Sequence, residues 1–229
     1  ERITGARSIS NGLTLPELAA EGDWLKTRMS ACRARRARTQ PAAEGAKASG
    51  DLFRALRDHG GTDVPRYRLL NGAMGAACMH AGGLVAASQT TASWVSELRP
   101  GGSLHWVTGT AAPCTGLFKP VRVGEPLDLG PAPTDRVDRA SLWWRHERLH
   151  RQVMCDPVQL GALFMPERDA VEQRWLESPP EPAAALDEAD RLLAEWTSRV
   201  EAARARDTRP RWVRRYWNRR ELRAGRVTA

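Results

Sequence analysis

Residues 69–118 read LLNGAMGAACMHAGGLVAASQTTASWVSELRPGGSLHWVTGTAAPCTGLF, and only two of these 50 side chains are charged. Small, aliphatic and aromatic residues with so little charge are typical of strands buried between layers of structure. The uncharged part Leu69–Ser96 carries too many glycines and polar side chains for a membrane span, so we expect no membrane partner. Gln89–Leu98 and Leu104–Thr110 flank a Pro-Gly-Gly turn, which predicts a β-hairpin.

Helical patterns lie on both sides of this segment. Capping residues, prolines in first turns and apolar spacing predict helices over Thr14–Arg38, Asp51–Asp58, Ser141–Met154, Asp156–Trp175 and Ala183–Arg206. A Pro/Gly/Ala-rich linker is predicted at Gln40–Gly50. A strand-rich first half followed by C-terminal helices predicts the α+β class.

The charge of the chain is concentrated at its end. The formal net charge is +8, and residues 204–229 hold ten arginines against two acidic residues, which accounts for all of it. Residues 1–203 therefore carry no net charge, which argues against a surface that binds a polyanion along the whole chain. The arginines and aromatics of Arg211–Arg220 could clamp phosphates and stack on bases, or form a helix that docks through its aromatics. We do not expect nucleic acid as a partner.

A zinc-type motif stands in the predicted helix 141–154. His146, Glu147 and His150 follow the H-E-x-x-H pattern, in which two imidazoles on one helix face bind Zn²⁺ and the glutamate activates water. Three arginines interleave with the motif, and their charge would repel the cation. We therefore favour a second interpretation of the motif, a surface helix whose histidines pair with acids or pack beside a tryptophan. A zinc peptidase remains the alternative. We expect no metal.

The cysteines favour a reducing compartment. No two of Cys32, Cys78, Cys114 and Cys155 form a C-x-x-C pair, so the sequence does not indicate a structural zinc site. Free thiols and a cytoplasmic location are expected. Cys78 and His80 alternate on a predicted strand and would share one face, either as an activated thiol or as an inert buried cysteine beside a histidine.

Six segments carry a family resemblance through their order and spacing. They are Arg7–Asn11, Cys78–Gly83, Thr90–Leu98, His105–Ala111, Phe118–Val121 and Leu142–Glu147. Together they resemble the secernin and dipeptidase branch of the N-terminal-nucleophile (Ntn) cysteine hydrolases. The resemblance implies a four-layer αββα sandwich and hydrolysis of peptides or other linear amides by an N-terminal cysteine, with no metal and no cofactor.

The matched segments resemble the later half of the family's chain. The sequence begins with Glu1, so we expect the nucleophilic cysteine on a companion chain or a missing N-terminal half, and this chain alone to be inactive. Residues 1–176 would form the C-terminal portion of the αββα domain, and residues 177–229 a helical, Arg-rich extension. The alternative is a non-catalytic, secernin-like interaction protein.

The resemblance also implies one catalytic residue within this chain. Asn11 follows the first matched strand and corresponds to the asparagine that helps to hold the oxyanion in related enzymes. An amide N–H aimed at developing negative charge suits that role. Asn11-Gly12 could equally form a simple turn after the strand.

Overall fold

The computed structural model describes residues 5–10 and 24–225, and the chain divides into two compact units after residue 89. Unit 1, residues 1–89, contains α1 (Trp24–Ser30), α2 (Cys32–Gly45) and α3 (Ser49–Leu56). Unit 2, residues 90–229, contains β1 (Trp94–Glu97), β2 (Leu104–Val107), β3 (Lys119–Val121), α4 (Leu142–Val153), α5 (Pro157–Gly161), α6 (Met165–Glu177), α7 (Pro182–Ala202) and α8 (Arg211–Ala224). Helices with one small antiparallel sheet confirm the α+β class.

A helix break marks the first part of unit 1. The start of the helix predicted over residues 14–38 lies outside the described residues, and its described part is interrupted at Ala31, whose φ of 54° is left-handed. The buried Arg35 guanidinium donates to the carbonyl oxygen of Ser30, next to the break, and to that of Met74 at 2.5 Å. After the break, α2 continues through the first half of the linker expected at residues 40–50, so that linker is shorter than predicted.

The uncharged segment 69–88 does not form the buried strands that its composition predicts. It is irregular and contains no strand. Its glycines explain the difference, because they allow the backbone to approach itself: a Cβ on Gly83 would lie 2.3 Å from the carbonyl oxygen of Ala86 and 2.6 Å from Cα of Asn71. Contacts this close favour tight loops over an extended ladder. The first half is therefore less strand-rich than expected.

The predicted hairpin is present in unit 2. Strands β1 and β2 pair antiparallel, with Glu97 opposite Leu104, and Gly101 in the turn has a φ of 87° that favours glycine. Strand β3 pairs antiparallel with the other side of β2, which gives the order β1-β2-β3. Val95 and Trp106 are buried, and the indole of Trp106 donates to the Glu97 carboxylate at 3.0 Å.

Helices α4 and α7 pack against each other, and α7 also packs on β3. The predicted helix start at Asp156-Pro157 is confirmed, because the Asp156 carboxylate accepts a hydrogen bond from the backbone N–H of Gln159 at 3.1 Å. The single helix expected after it is interrupted beyond Gly161 and resumes as α6.

The basic end of the chain forms α8, which buries Val213 and Trp217 one helical turn apart. The Arg151 guanidinium of α4 lies over the Trp217 ring, 4.9 Å from its centroid. Most arginines of α8 are exposed. Within residues 5–10 and 24–225, no helix is both long and apolar enough to cross a membrane.

Candidate functional site

A buried polar cluster lies in unit 2 where the loop before β3 meets α4. The hydroxyl of Thr115 is 3.4 Å from Nε2 of His146 and 3.3 Å from Nδ1 of His150. The two imidazole rings are parallel within 6°, with 6.5 Å between their centroids. All three side chains are buried, so the histidines face the core and α4 is not the surface helix expected from its arginines.

Burial controls the charge of His146. Loss of solvent lowers its pKa to about 4. The hydrogen bond at Thr115 raises the pKa, and the positive charge of Lys119 lowers it further, but both effects are smaller than that of burial. The imidazole is therefore neutral at pH 7. A neutral ring can exchange hydrogen bonds with Thr115 without placing a charge in the core.

The glutamate of the H-E-x-x-H motif belongs to a different network. Glu147 accepts a hydrogen bond from Arg151 Nε at 2.8 Å, and Arg151 Nη1 donates to Glu221 at 2.9 Å. In the described part of the chain, neither His146 nor His150 belongs to a group of residues close enough to share a metal ion. This geometry does not support the zinc peptidase alternative.

The other two arginines around the motif fasten α4 to α7. Arg148 donates to both carboxylate oxygens of Glu201, at 2.5 and 2.8 Å, and Arg145 donates to Asp190 at 2.7 Å. These two arginines of α4, which would repel a zinc ion, therefore form ion pairs with carboxylates of α7. The histidines of the motif thus contact Thr115 in the core, and the arginines beside them hold α4 to α7.

Lys119 in β3 is a buried cation of unit 2. Its Nζ donates to the carbonyl oxygens of Thr108 at 2.7 Å and Leu117 at 3.0 Å. Burial lowers its pKa to about 8, although the carboxylates of Glu172 and Asp190 favour the charged form. An ammonium group has three N–H donors, and the third is not engaged by any residue in the described ranges.

A cavity of about 330 Å³ opens beside this lysine. Its wall includes Lys119 and Val107 of the sheet, Leu129 of the following loop, Trp143 of α4 and Leu186 of α7. The cavity is therefore largely apolar with one cation on its wall. Sequence analysis missed Lys119, although it is one of only three lysines and interrupts an apolar run.

Unit 1 contains a second cluster, formed by His59, Cys78 and His80. The Cys78 sulfur lies 3.4 Å from His80 Nε2, so the two side chains are close together as predicted, although their segment is not a strand. His59 Nε2 lies 3.1 Å from His80 Nε2. Sequence analysis did not single out His59, whose one local signal is the Gly60-Gly61 turn that follows it.

The remaining predicted site residues are Asn11 and the cysteines other than Cys78. Asn11, the candidate oxyanion donor, lies outside the described residues. Cys32 and Cys114 are buried in their units. Cys155 is half-buried, and burial raises the pKa of its thiol.

Comparison with known proteins gives no relative for this chain: no family model, no curated protein and no solved structure matches it.

Proposed function

We propose that this chain is part of a metal-independent cysteine hydrolase of the secernin and dipeptidase type, acting on peptides or other linear amides in the cytoplasm. In this proposal, unit 2 contributes its strands to a four-layer αββα sandwich. The arrangement of the resembling segments supports it. Three of them supply the neighbouring strands β1, β2 and β3, and a fourth covers the start of α4.

The observation that carries the proposal is the apolar cavity beside Lys119. A short peptide has an apolar or amphipathic body and a terminal carboxylate, which the third N–H of the ammonium group could bind through a charge-assisted hydrogen bond. A volume of about 330 Å³ is at the lower end of ordinary ligand sites, which run from about 300 to 1,000 Å³. The cavity therefore suits a substrate the size of a dipeptide.

The nucleophile in this proposal is an N-terminal cysteine supplied by a companion chain or an N-terminal half. Three of the four cysteines here are buried, and burial keeps the thiol of Cys155 protonated near neutral pH by raising its pKa. The thiolate attacks the amide carbonyl, the amine leaves with a proton, and water hydrolyses the acyl-enzyme.

The first experiment purifies the native protein from its own host and sequences the N-terminus of every chain present. We expect one N-terminus to be cysteine, dipeptides to be hydrolysed, and iodoacetamide to abolish activity by alkylating that cysteine. Chelators should leave the rate unchanged. A preparation without an N-terminal cysteine and without amidase activity would favour the non-catalytic alternative.

The second experiment replaces Lys119 by methionine, which keeps the length of the side chain and removes its charge. A hydrogen bond to a charged group contributes about 1.5–3 kcal/mol, so we expect KM for a dipeptide to rise about 10–100-fold with little change in kcat. Lys47→Met removes an exposed lysine and is the matched control. An unchanged KM in a folded Lys119→Met protein would contradict the proposed role.

A further inference from the structure

We propose that unit 1 binds a zinc ion through Nε2 of His59, Sγ of Cys78 and Nε2 of His80. All three side chains are buried, and these ligand atoms lie within 4.8 Å of one another. Two imidazoles and a thiolate select zinc over magnesium or calcium, which prefer oxygen ligands. The site is separate from the proposed hydrolase chemistry, which uses no metal.

The distances between the ligand atoms match a zinc site. In tetrahedral zinc, bond lengths of about 2.05 Å to nitrogen and 2.3 Å to sulfur place two nitrogens about 3.3 Å apart and nitrogen and sulfur about 3.6 Å apart. The two Nε2 atoms of His59 and His80 are 3.1 Å apart, and Cys78 Sγ is 3.4 Å from His80 Nε2. Both separations are about 0.2 Å below the zinc values, a difference that small side-chain rotations remove.

The hydrogen bond of His59 prepares its other nitrogen for a metal. Nδ1 lies 3.1 Å from the carbonyl oxygen of Asp63, and because a carbonyl only accepts, Nδ1 carries the proton. In the neutral ring, Nε2 then presents its lone pair toward His80. Histidines that bind metals commonly donate their second N–H to a backbone carbonyl in this way.

Asp58 joins the two loops that carry the ligands. Its carboxylate accepts the backbone N–H groups of Gly60 at 3.0 Å and Gly61 at 3.1 Å, and two hydrogen bonds from Arg38 at 2.6 Å. Its carbonyl oxygen accepts the backbone N–H of Cys78 at 3.1 Å. The loop after α3 and the loop that carries Cys78 are therefore held together before any metal binds.

The site also lies where unit 1 has least regular structure. The residues between α3 and the end of unit 1 contain no strand, and the carbonyl of His80 is held by the backbone N–H of Ala73 at 3.0 Å. A zinc ion would cross-link residues 59 and 78–80 and so add to the stability of these loops, because the free energy of binding becomes folding free energy. The sequence did not indicate this site, because its ligands do not form a C-x-x-C pair.

A metal-free arrangement explains the same distances in a different way. His80 could donate an Nε2 proton to His59, with Cys78 as a neutral thiol beside it. The two accounts differ in whether the protein binds zinc, and in whether the Cys78 sulfur becomes a thiolate when it does.

The test uses the full 229-residue chain, purified without chelator and analysed for metal by mass spectrometry. We expect one zinc ion per chain. After removal of the metal, Co²⁺ should produce a thiolate-to-cobalt charge-transfer band and the visible bands of a tetrahedral site, and one equivalent of Zn²⁺ should abolish both. A wild-type chain that binds neither ion at one equivalent would overturn the proposal.

Matched variants identify the ligands. Cys78→Ser and His59→Gln should lower the zinc affinity by more than about 100-fold, the upper cost of losing an outer-shell contact. Cys32→Ser removes another buried cysteine of unit 1, and His105→Gln removes a buried histidine of unit 2; both should retain zinc and the cobalt bands. If a ligand variant fails to fold, the spectra of the wild type and Cys32→Ser decide. Loss of the thiolate band in Cys32→Ser, or unchanged zinc affinity in folded Cys78→Ser, would overturn the proposal.

Discussion

Replacing Glu147 by glutamine tests whether the H-E-x-x-H motif serves packing. The side chains of Glu147 and Arg151 are only 1% and 8% exposed, and their charged atoms are 2.8 Å apart. Removing one partner of a buried ion pair costs about 3–5 kcal/mol, because the other charge is left without compensation. Arg151 keeps its bond to Glu221, so we expect the lower figure, a loss of about 3 kcal/mol in the free energy of unfolding.

The chain offers a matched pair of the same residue types. Arg191 and Glu195 are also four residues apart on one helix, with charged atoms 2.7 Å apart, but their side chains are 59% and 45% exposed. An exposed helical pair contributes about 0.3–0.5 kcal/mol. Glu195→Gln should therefore cost about one-sixth or less of what Glu147→Gln costs.

Urea unfolding followed by tryptophan fluorescence measures both variants. Eight of the nine tryptophans, all except Trp24, lie in unit 2, so the signal reports the unit that contains both ion pairs. Added salt should weaken the Glu195 effect and leave the Glu147 effect nearly unchanged, because buried charges are little screened. Equal losses in the two variants would refute the structural role of Glu147. So would a Glu147→Gln protein of wild-type stability that has lost a zinc-dependent peptidase activity.

Two further predictions concern acid stability and the glycine loop. His146 has a pKa of about 4 in the fold against 6.5 for an ordinary histidine, so the unfolded chain takes up this proton first and stability falls as the pH drops from 6.5 to 4, by up to about 3 kcal/mol. Urea titrations at several pH values should show a shallower fall in His146→Asn, and an equally steep fall would contradict the burial argument. Gly83→Ala should cost at least about 2 kcal/mol, because the three nearest atoms that its Cβ would meet are all backbone atoms. Gly75→Ala, with nothing within 4 Å of its Cβ, should stay within about 0.5 kcal/mol of wild type, and calorimetry showing equal losses would contradict the packing at Gly83.

Local signals predicted the parts of the fold that depend on a few consecutive residues. The Pro-Gly-Gly turn identified the hairpin, because glycines at 101 and 102 adopt backbone angles that other residues avoid. Asp156-Pro157 identified a helix start, because the capping carboxylate and the proline act within one turn. The break at Ala31 was not predicted; near it, Arg35 donates both to the carbonyl oxygen of Ser30 and to that of the distant Met74.

The composition of residues 69–88 predicted buried strands wrongly, because close backbone contacts there compete with strand pairing. An uncharged segment rich in glycine satisfies the pattern of a buried strand, but the same glycines let residues 71 and 86 approach Gly83 too closely for a ladder. A pattern of residue types does not show how closely these backbone segments approach one another. The strands it predicted correctly, β1 and β2, have large side chains such as Trp106 that pack on a sheet face.

The amino-acid order alone was enough for the α+β class, the hairpin, most helix positions and the closeness of Cys78 to His80, because each depends on residues near one another in the chain. Only the tertiary structure joined His59 to His80, 21 positions away, and brought Thr115 between His146 and His150. It alone also removed Lys119 from water and so lowered its pKa. The physical reason is the same in each case: burial and contact between distant segments depend on how the whole chain packs, and local sequence patterns carry no measure of either.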